Sequence, residues 1–213
     1  MEKDKVIWFV GAHFDDIEIG CGGTAAKLIE AGNRCHATIV TKSGYRDEKG
    51  ITIRENNVAR EEGLKGLATL GFEDVSTLDF ETGSLSHDLP LIHALEAQCK
   101  LLQPDIVFTH WVHDVHQDHK AIAHSTLTVC RKAGSVLMYR PNWYRTNEPF
   151  RETLFVDVTT QYDKKLAAIQ CHVSEVTKFG KHWEEFIVAQ DIARGMEIGV
   201  AKAESFEVVK LKW

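Results

Sequence analysis

The sequence predicts an α/β protein: a three-layer, Rossmann-like fold with a mostly parallel central sheet and a site at the C-terminal ends of its strands. Two observations carry this. Short, continuous apolar runs alternate with helical patterns as far as about residue 135, as they do when strands buried on both faces are joined by crossover helices. The polar clusters HFDD and HDVHQDH follow directly after the first and fourth apolar runs, where the ligand crevice of such a sheet lies.

The elements follow in order. Residues 5–11 (KVIWFVG) read as a buried strand, 13–23 as a loop, and 24–31 as a helix stopped by Gly32-Asn33. A second strand at 35–41 leads through a polar loop at 43–50 to a long helix over 52–70, ended by Leu70-Gly71. A third strand is expected at 74–80, a helix at 89–102 with Pro104 beyond it, a fourth strand at 105–109, and a helix at 120–133. The last third differs, with extended segments at 135–144 and 153–158, helices at 161–172 and 183–196, and a short closing strand at 205–210. No repeat, low-complexity stretch or linker interrupts the chain, so one domain over residues 1–213 is expected.

A chain of 213 residues buries a core without disulfide or metal staples, so any metal is expected to serve chemistry. The net charge of −6, with both signs interspersed, leaves no basic face for nucleic acid. No apolar run of about 18 residues suggests a membrane span, and the N-terminal apolar segment is too short and too soon acidic for a secretory signal. The expectation is a cytoplasmic protein. Its five cysteines are scattered without a CxxC, as reduced and mostly buried thiols are; Cys21 lies beside the first polar cluster.

Within GAHFDDIEIGCGGT, His13 and Asp16 are two residues apart on a strand-to-helix loop, so an imidazole and a carboxylate can meet at one divalent ion such as zinc. Asp15 then stays unligated and can accept a proton from water activated by the ion. The competing reading is an ordinary capped loop. Gly20-x-Gly22-x-x-Ala25 also matches a dinucleotide fingerprint and supports an alternative, a nucleotide-binding oxidoreductase or transferase. Against it, HFDDIEI brings Asp15, Asp16 and Glu18 to where a pyrophosphate would sit, and the second strand ends in Thr41-Lys42 without a ribose-binding acid. The glycines are expected instead to let backbone approach the site and to begin the helix at Thr24.

Histidines 110, 113, 116 and 119 recur every third residue, a period that suits neither strand nor helix, so four ligands to one ion make poor geometry. His119, where the loop turns into a helix, can complete a His13/Asp16/His119 set with an open position, the arrangement of a catalytic zinc. His116 lies near enough to contact a substrate, with Asp118 holding its ring protonated. His110 and His113 are expected in the loop or pocket wall.

GAHFDDIEIGCGGT resembles the AHPDDExxGxGGT signature of the LmbE-like (PIG-L) zinc-dependent N-deacetylase superfamily, and HDVHQDHKAIA resembles its second signature, in which HPDH precedes a helix. Weaker landmarks follow in order: Thr41-Lys42-Ser43-Gly44, Arg54-Glu55 before Leu70-Gly71, and Ala203-Glu204-Ser205-Phe206. The resemblance implies zinc, or another divalent ion, on His13, Asp16 and His119, with Asp15 as general base, His116 as acid or oxyanion stabiliser, and Asp118 beside it. It also implies removal of acetyl from an N-acetylated amino sugar or its glycoside, a small-molecule partner, and permits a homo-oligomer. A metal-binding member without catalysis is a further alternative. Arg54 falls where the family carries an arginine facing the site and can fork onto a carboxylate or phosphate. The segment RPNWYR, residues 140–145, offers Trp143 and Arg145 as substrate contacts, against the alternative of a packed turn. Phe14 and Gln117 stand where the family has prolines, which bears on loop rigidity but removes no functional group.

Overall fold

The computed structural model describes residues 4–212, so residues 1–3 and 213 of the expected domain lie outside the described part. In chain order the elements are β1 (Val6–Gly11), α1 (Asp16–Glu30), β2 (Arg34–Thr41), a hairpin of β3 (Tyr45–Arg46) and β4 (Thr52–Arg54), α2 (Asn56–Leu70), β5 (Asp74–Phe80), α3 (Leu89–Leu102), β6 (Ile106–His110), α4 (Gln117–Val129), β7 (Ser135–Tyr139), β8 (Leu154–Asp157), a 3-10 turn at Thr159–Gln161, α5 (Tyr162–Gln170), α6 (Val173–Phe179), α7 (Lys181–Ile198) and β9 (Ala203–Lys210).

The main sheet has seven strands in the order β5-β2-β1-β6-β7-β9-β8. The first five run parallel; β9 lies antiparallel to β7 and to β8. The expected mostly parallel sheet is therefore present. Each central strand splits its side chains between two cores by the period of two. Ile7 and Phe9 pack with Ile39 and Phe108 toward the face covered by α1, α2 and α5, whereas Trp8 and Val10 pack with Val40 and Val107 toward α3 and α4. Phe9 and Phe108 stack across neighbouring strands with centroids 4.7 Å apart.

Three local expectations are corrected. The loop expected at residues 13–23 is mostly helix, because α1 starts at Asp16 and kinks at Cys21, where φ is −153°. The start read at Thr24 is the second half of that helix: the amides of Gly23 and Thr24 donate to the Glu204 carboxylate at 2.9 and 2.7 Å, a cap about 180 residues away that no local pattern announces. Nor do the glycines open a phosphate turn. A Cβ on Gly20 would stand 2.2 Å from the Tyr139 ring, so glycine permits α1 to press against β7. The helix expected from residue 52 begins at Asn56, since Thr52 and Arg54 pair with β3 instead, with the β-branched Ile53 between them. Finally, β7 stops at Tyr139, two residues before Pro141, rather than running to 144, and α6 is an additional helix. Among the described residues no helix is long and apolar enough to cross a membrane, and all five cysteines are unpaired.

Candidate functional site

Strand order reverses between β1 and β6, which lie side by side while their crossovers run to opposite edges of the sheet. A crevice opens at the C-terminal edge of such a switch point. The loop after β1 carries His13, Asp15 and Asp16; the segment after β6 carries His110 to His119.

Three of these side chains converge. His13 Nδ1 lies 3.4 Å from Asp16 Oδ2, His119 Nε2 lies 3.2 Å from Asp16 Oδ1, and the two ring nitrogens face each other at 3.3 Å. The separation of the two ring nitrogens is that of two ligands each about 2.0–2.1 Å from one ion, and the two oxygens of the Asp16 carboxylate face one ring each. The set can hold a divalent metal ion. The far nitrogens of both rings are also engaged: His13 Nε2 meets Asp118 Oδ2 at 3.0 Å, and His119 Nδ1 meets Asp114 Oδ2 at 3.1 Å. Carboxylates in this position fix the tautomer and orientation of ligating imidazoles. A second grouping of His13, His116 and Asp118 is poorer in free lone pairs, because Asp118 already accepts from the amides of Gly83 and Leu85.

Asp118 thus sits behind His13, not behind His116 as the sequence suggested. The reason lies in the first turn of α4: the Asp118 amide donates to His116 Nδ1 at 3.2 Å, making His116 the N-cap, while the Asp118 carboxylate turns toward β1. A neutral His116 ring therefore carries its proton on Nε2. Asp114 went unnoticed in the sequence although it stands inside HDVHQDH; it accepts from His119, the His116 amide and Asn142. His110 is completely buried, stacks on the His119 ring with centroids 4.0 Å apart, and accepts from the Ala12 amide.

The electrostatics divide the cluster. Burial tends to lower the His13 pKa, but hydrogen bonds to Asp118 and Asp16 raise it to about 9. For His119 the carboxylates of Asp16 and Asp114 likewise overcome burial, raising it to about 10. Burial, then the positive charges of His119 and His13, push His116 down to about 4. Burial and the neighbouring Asp16 charge lift Asp15 to about 7. Asp15 also holds a left-handed backbone, φ 130°, at the entrance of α1. Strain of that kind in a non-glycine residue concentrates at functional sites.

These residues floor a cavity of about 690 Å³ whose walls include Arg54, Asn142 and Trp143. Arg54 is not free to fork onto a ligand: it donates to Glu62 Oε2 at 2.9 Å and to the Phe14 carbonyl at 3.3 Å, with Glu175 at 3.6 Å. Trp143 is at the mouth, 36% exposed. Arg145 is exposed and does not line the cavity. Phe14 fills a slot opened by Gly63, where a Cβ would stand 2.1 Å from its ring, so burial stiffens the loop where a proline otherwise would. Gln117 donates to the Gly83 carbonyl at 3.3 Å, holding the loop that also contacts Asp118.

The family model described as PIG-L, GlcNAc-PI de-N-acetylase, matches residues 8–130. A protein of Escherichia coli (strain K12) named uncharacterized deacetylase YaiS is 33% identical over 180 residues, covering 81% of this chain and 92% of its own. The structure of N,N'-diacetylchitobiose deacetylase from Pyrococcus horikoshii is similar with a TM-score of 0.82 at 21% identity, covering 95% of this chain and 83% of that one. GalB, the 4-carboxy-2-hydroxymuconate hydratase of Pseudomonas putida KT2440, is similar with a TM-score of 0.75 at 21% identity, over 98% of this chain and 96% of that one. At such identities the two structures speak for the fold.

Proposed function

Because this chain belongs to the PIG-L family, we propose that it is a metal-dependent N-deacetylase releasing acetate and a free amine from an N-acetylated amino sugar or its glycoside. The observation that carries this reading is the convergence of the His13, Asp16 and His119 ligand atoms beside a carboxyl, Asp15, held at about 7. Nitrogen and carboxylate donors suit zinc, which when bound polarises an amide carbonyl and acidifies water. Asp118 and Asp114 hold the two ligand rings in the required tautomers. Asp15 accepts a proton from the attacking water, a task for which a pKa near the working pH is matched. His116 donates its Nε2 proton in a hydrogen bond to the amide oxygen as negative charge develops there. Asp15, having taken the proton of the water, returns it to the departing nitrogen. Arg54 acts through the loop, holding the Phe14 carbonyl and tempering the Asp15 pKa with its charge. Trp143 offers a face to a sugar ring; Arg145 has no part in this scheme. We assign the activity to one domain over residues 1–213, placed in the cytoplasm, whose reducing environment suits five unpaired cysteines.

The test is a panel of N-acetyl sugars incubated with the zinc-loaded protein and assayed for free amine and acetate. Asp15→Asn should keep its metal and lose about 10²–10⁴-fold in kcat. Protein that took up no divalent ion, or an Asp15→Asn variant with undiminished amine release, would overturn the proposal. Hydration of an unsaturated tricarboxylate without amine release would point instead to the chemistry of the GalB relative.

A further inference from the structure

A second cavity of about 370 Å³ adjoins the first and is lined by Trp143, Phe179, His182, Trp183 and Phe186. Trp143, Phe179 and Trp183 line both, so the annex is continuous with the candidate active site. Its rings come from the loop after β7, the end of α6 and the first half of α7. The Trp143 ring meets Phe179 at 5.7 Å and 87°, and Phe186 at 5.6 Å and 71°. Part of this cluster has a packing role, since Trp183 and Ile187 join Ile169 in a small core. That role does not extend to Trp143, which is 36% exposed at the junction of the two cavities and can offer one face to each.

Resting on the deacetylase reading above, we propose that the annex binds an aryl aglycone. The substrate is then an N-acetylated amino sugar joined to a flat aromatic group, with the amide over His13, Asp16 and His119 and the aryl ring against Trp143 and Phe186. Three physical arguments select this occupant. A second sugar would carry its several hydroxyls against walls whose polar groups are the His182 imidazole and two indole N–H groups, with no acceptor carboxylate among them, and hydroxyls left without partners are costly. A flexible alkyl chain would lose torsional freedom that a rigid ring does not have. Aromatic walls set edge to face suit a further ring at the same spacing. The first cavity supplies the carboxylates and amides a sugar needs; the second has no carboxylate or amide side chain.

The experiment compares phenyl and methyl glycosides of N-acetylglucosamine on the zinc-loaded protein. Burial of a phenyl ring should raise kcat/KM by about tenfold or more, chiefly through KM. Phe186→Ala should erase that advantage and leave the methyl glycoside unchanged. His182→Glu, at an exposed position that lines the annex alone, repeats the test without touching the core. Equal kcat/KM for the two glycosides, or an advantage that survives both variants, would overturn the proposal; so would an octyl glycoside that outperforms the phenyl one. If neither glycoside were turned over, the deacetylase reading would fall and calorimetry would judge the annex alone. Tighter binding of the phenyl glycoside would then sustain it, and equal or absent binding would end it.

Discussion

Two clusters of buried charge flank α1, and they differ in how their groups are matched. Beneath the helix, Lys165 Nζ lies 2.7 Å from both Asp191 Oδ2 and Glu204 Oε1; Arg194 backs Asp191 at 3.3 Å, and Glu204 caps the kink at Gly23 and Thr24. Every charge there faces a partner of opposite sign. At the other end, His13 and His119 share the one Asp16 carboxylate, with two ring nitrogens 3.3 Å apart. A closed network that satisfies itself is architecture. Two imidazoles turned toward each other across one carboxylate are matched better by an ion that displaces their protons, and they sit at the open edge of the sheet.

The sharpest way to break this contrast is to remove one member of each cluster. Asp16→Ala should abolish stoichiometric zinc binding and with it essentially all amine release, while the protein stays folded. Metal analysis and far-UV circular dichroism check both halves; retained zinc would contradict the assignment. Lys165→Met should do the reverse, keeping the ligand set but costing about 3–5 kcal/mol in chemical denaturation, because two buried carboxylates lose their cation.

Smaller changes sharpen the comparison. Asp114→Asn and Asp118→Asn leave the ligands in place but weaken their orientation, and each should lower zinc affinity by about 10–100-fold in competition with a chelator. The smallest effect is a pH slope. In the metal-free protein His13 and His119 are raised from 6.5 to about 9 and about 10. Their stabilisation is complete below about pH 6.5 and is lost as pH rises through about 9 and 10. Asp15, raised from 3.8 to about 7, also favours the folded state less as pH rises through that interval. Lys165 is raised from 10.5, so its stabilisation persists up to that pH and adds no slope below it. Thermal melts in chelator should therefore decline between pH 6.5 and 10, and a rising melting temperature there would contradict the protonation of the two rings. Zinc should reverse the trend, since the ion competes with those protons.

Much of the sheet was legible because its signals are local. The continuous apolar runs marked β1, β2 and β6, and Pro104 marked the end of α3 at Leu102. The hairpin β3–β4 and helix α6 were not legible, because strands of two and three residues and a helix of seven are too short for a period to show. The ligand set was approached from the sequence by combining His13 and Asp16 with a histidine at the foot of a helix. The roles of Asp114 and Asp118 were not, since which ring a carboxylate backs depends on rotations in the first turn of α4.

By itself the sequence determined the fold class, the two clusters bound for the sheet's C-terminal edge, and the candidate groups for metal and proton transfer, because hydrophobic period and motif spacing are properties of neighbouring residues. The tertiary structure alone decided which atoms meet. It set the convergence of His13, Asp16 and His119, the exchange of Asp118 from His116 to His13, the capture of Arg54 by Glu62 and the Phe14 carbonyl, and the capping of α1 by Glu204. Each of these joins residues through packing between distant segments, and at that range a shift of about 1 Å decides whether a hydrogen bond exists.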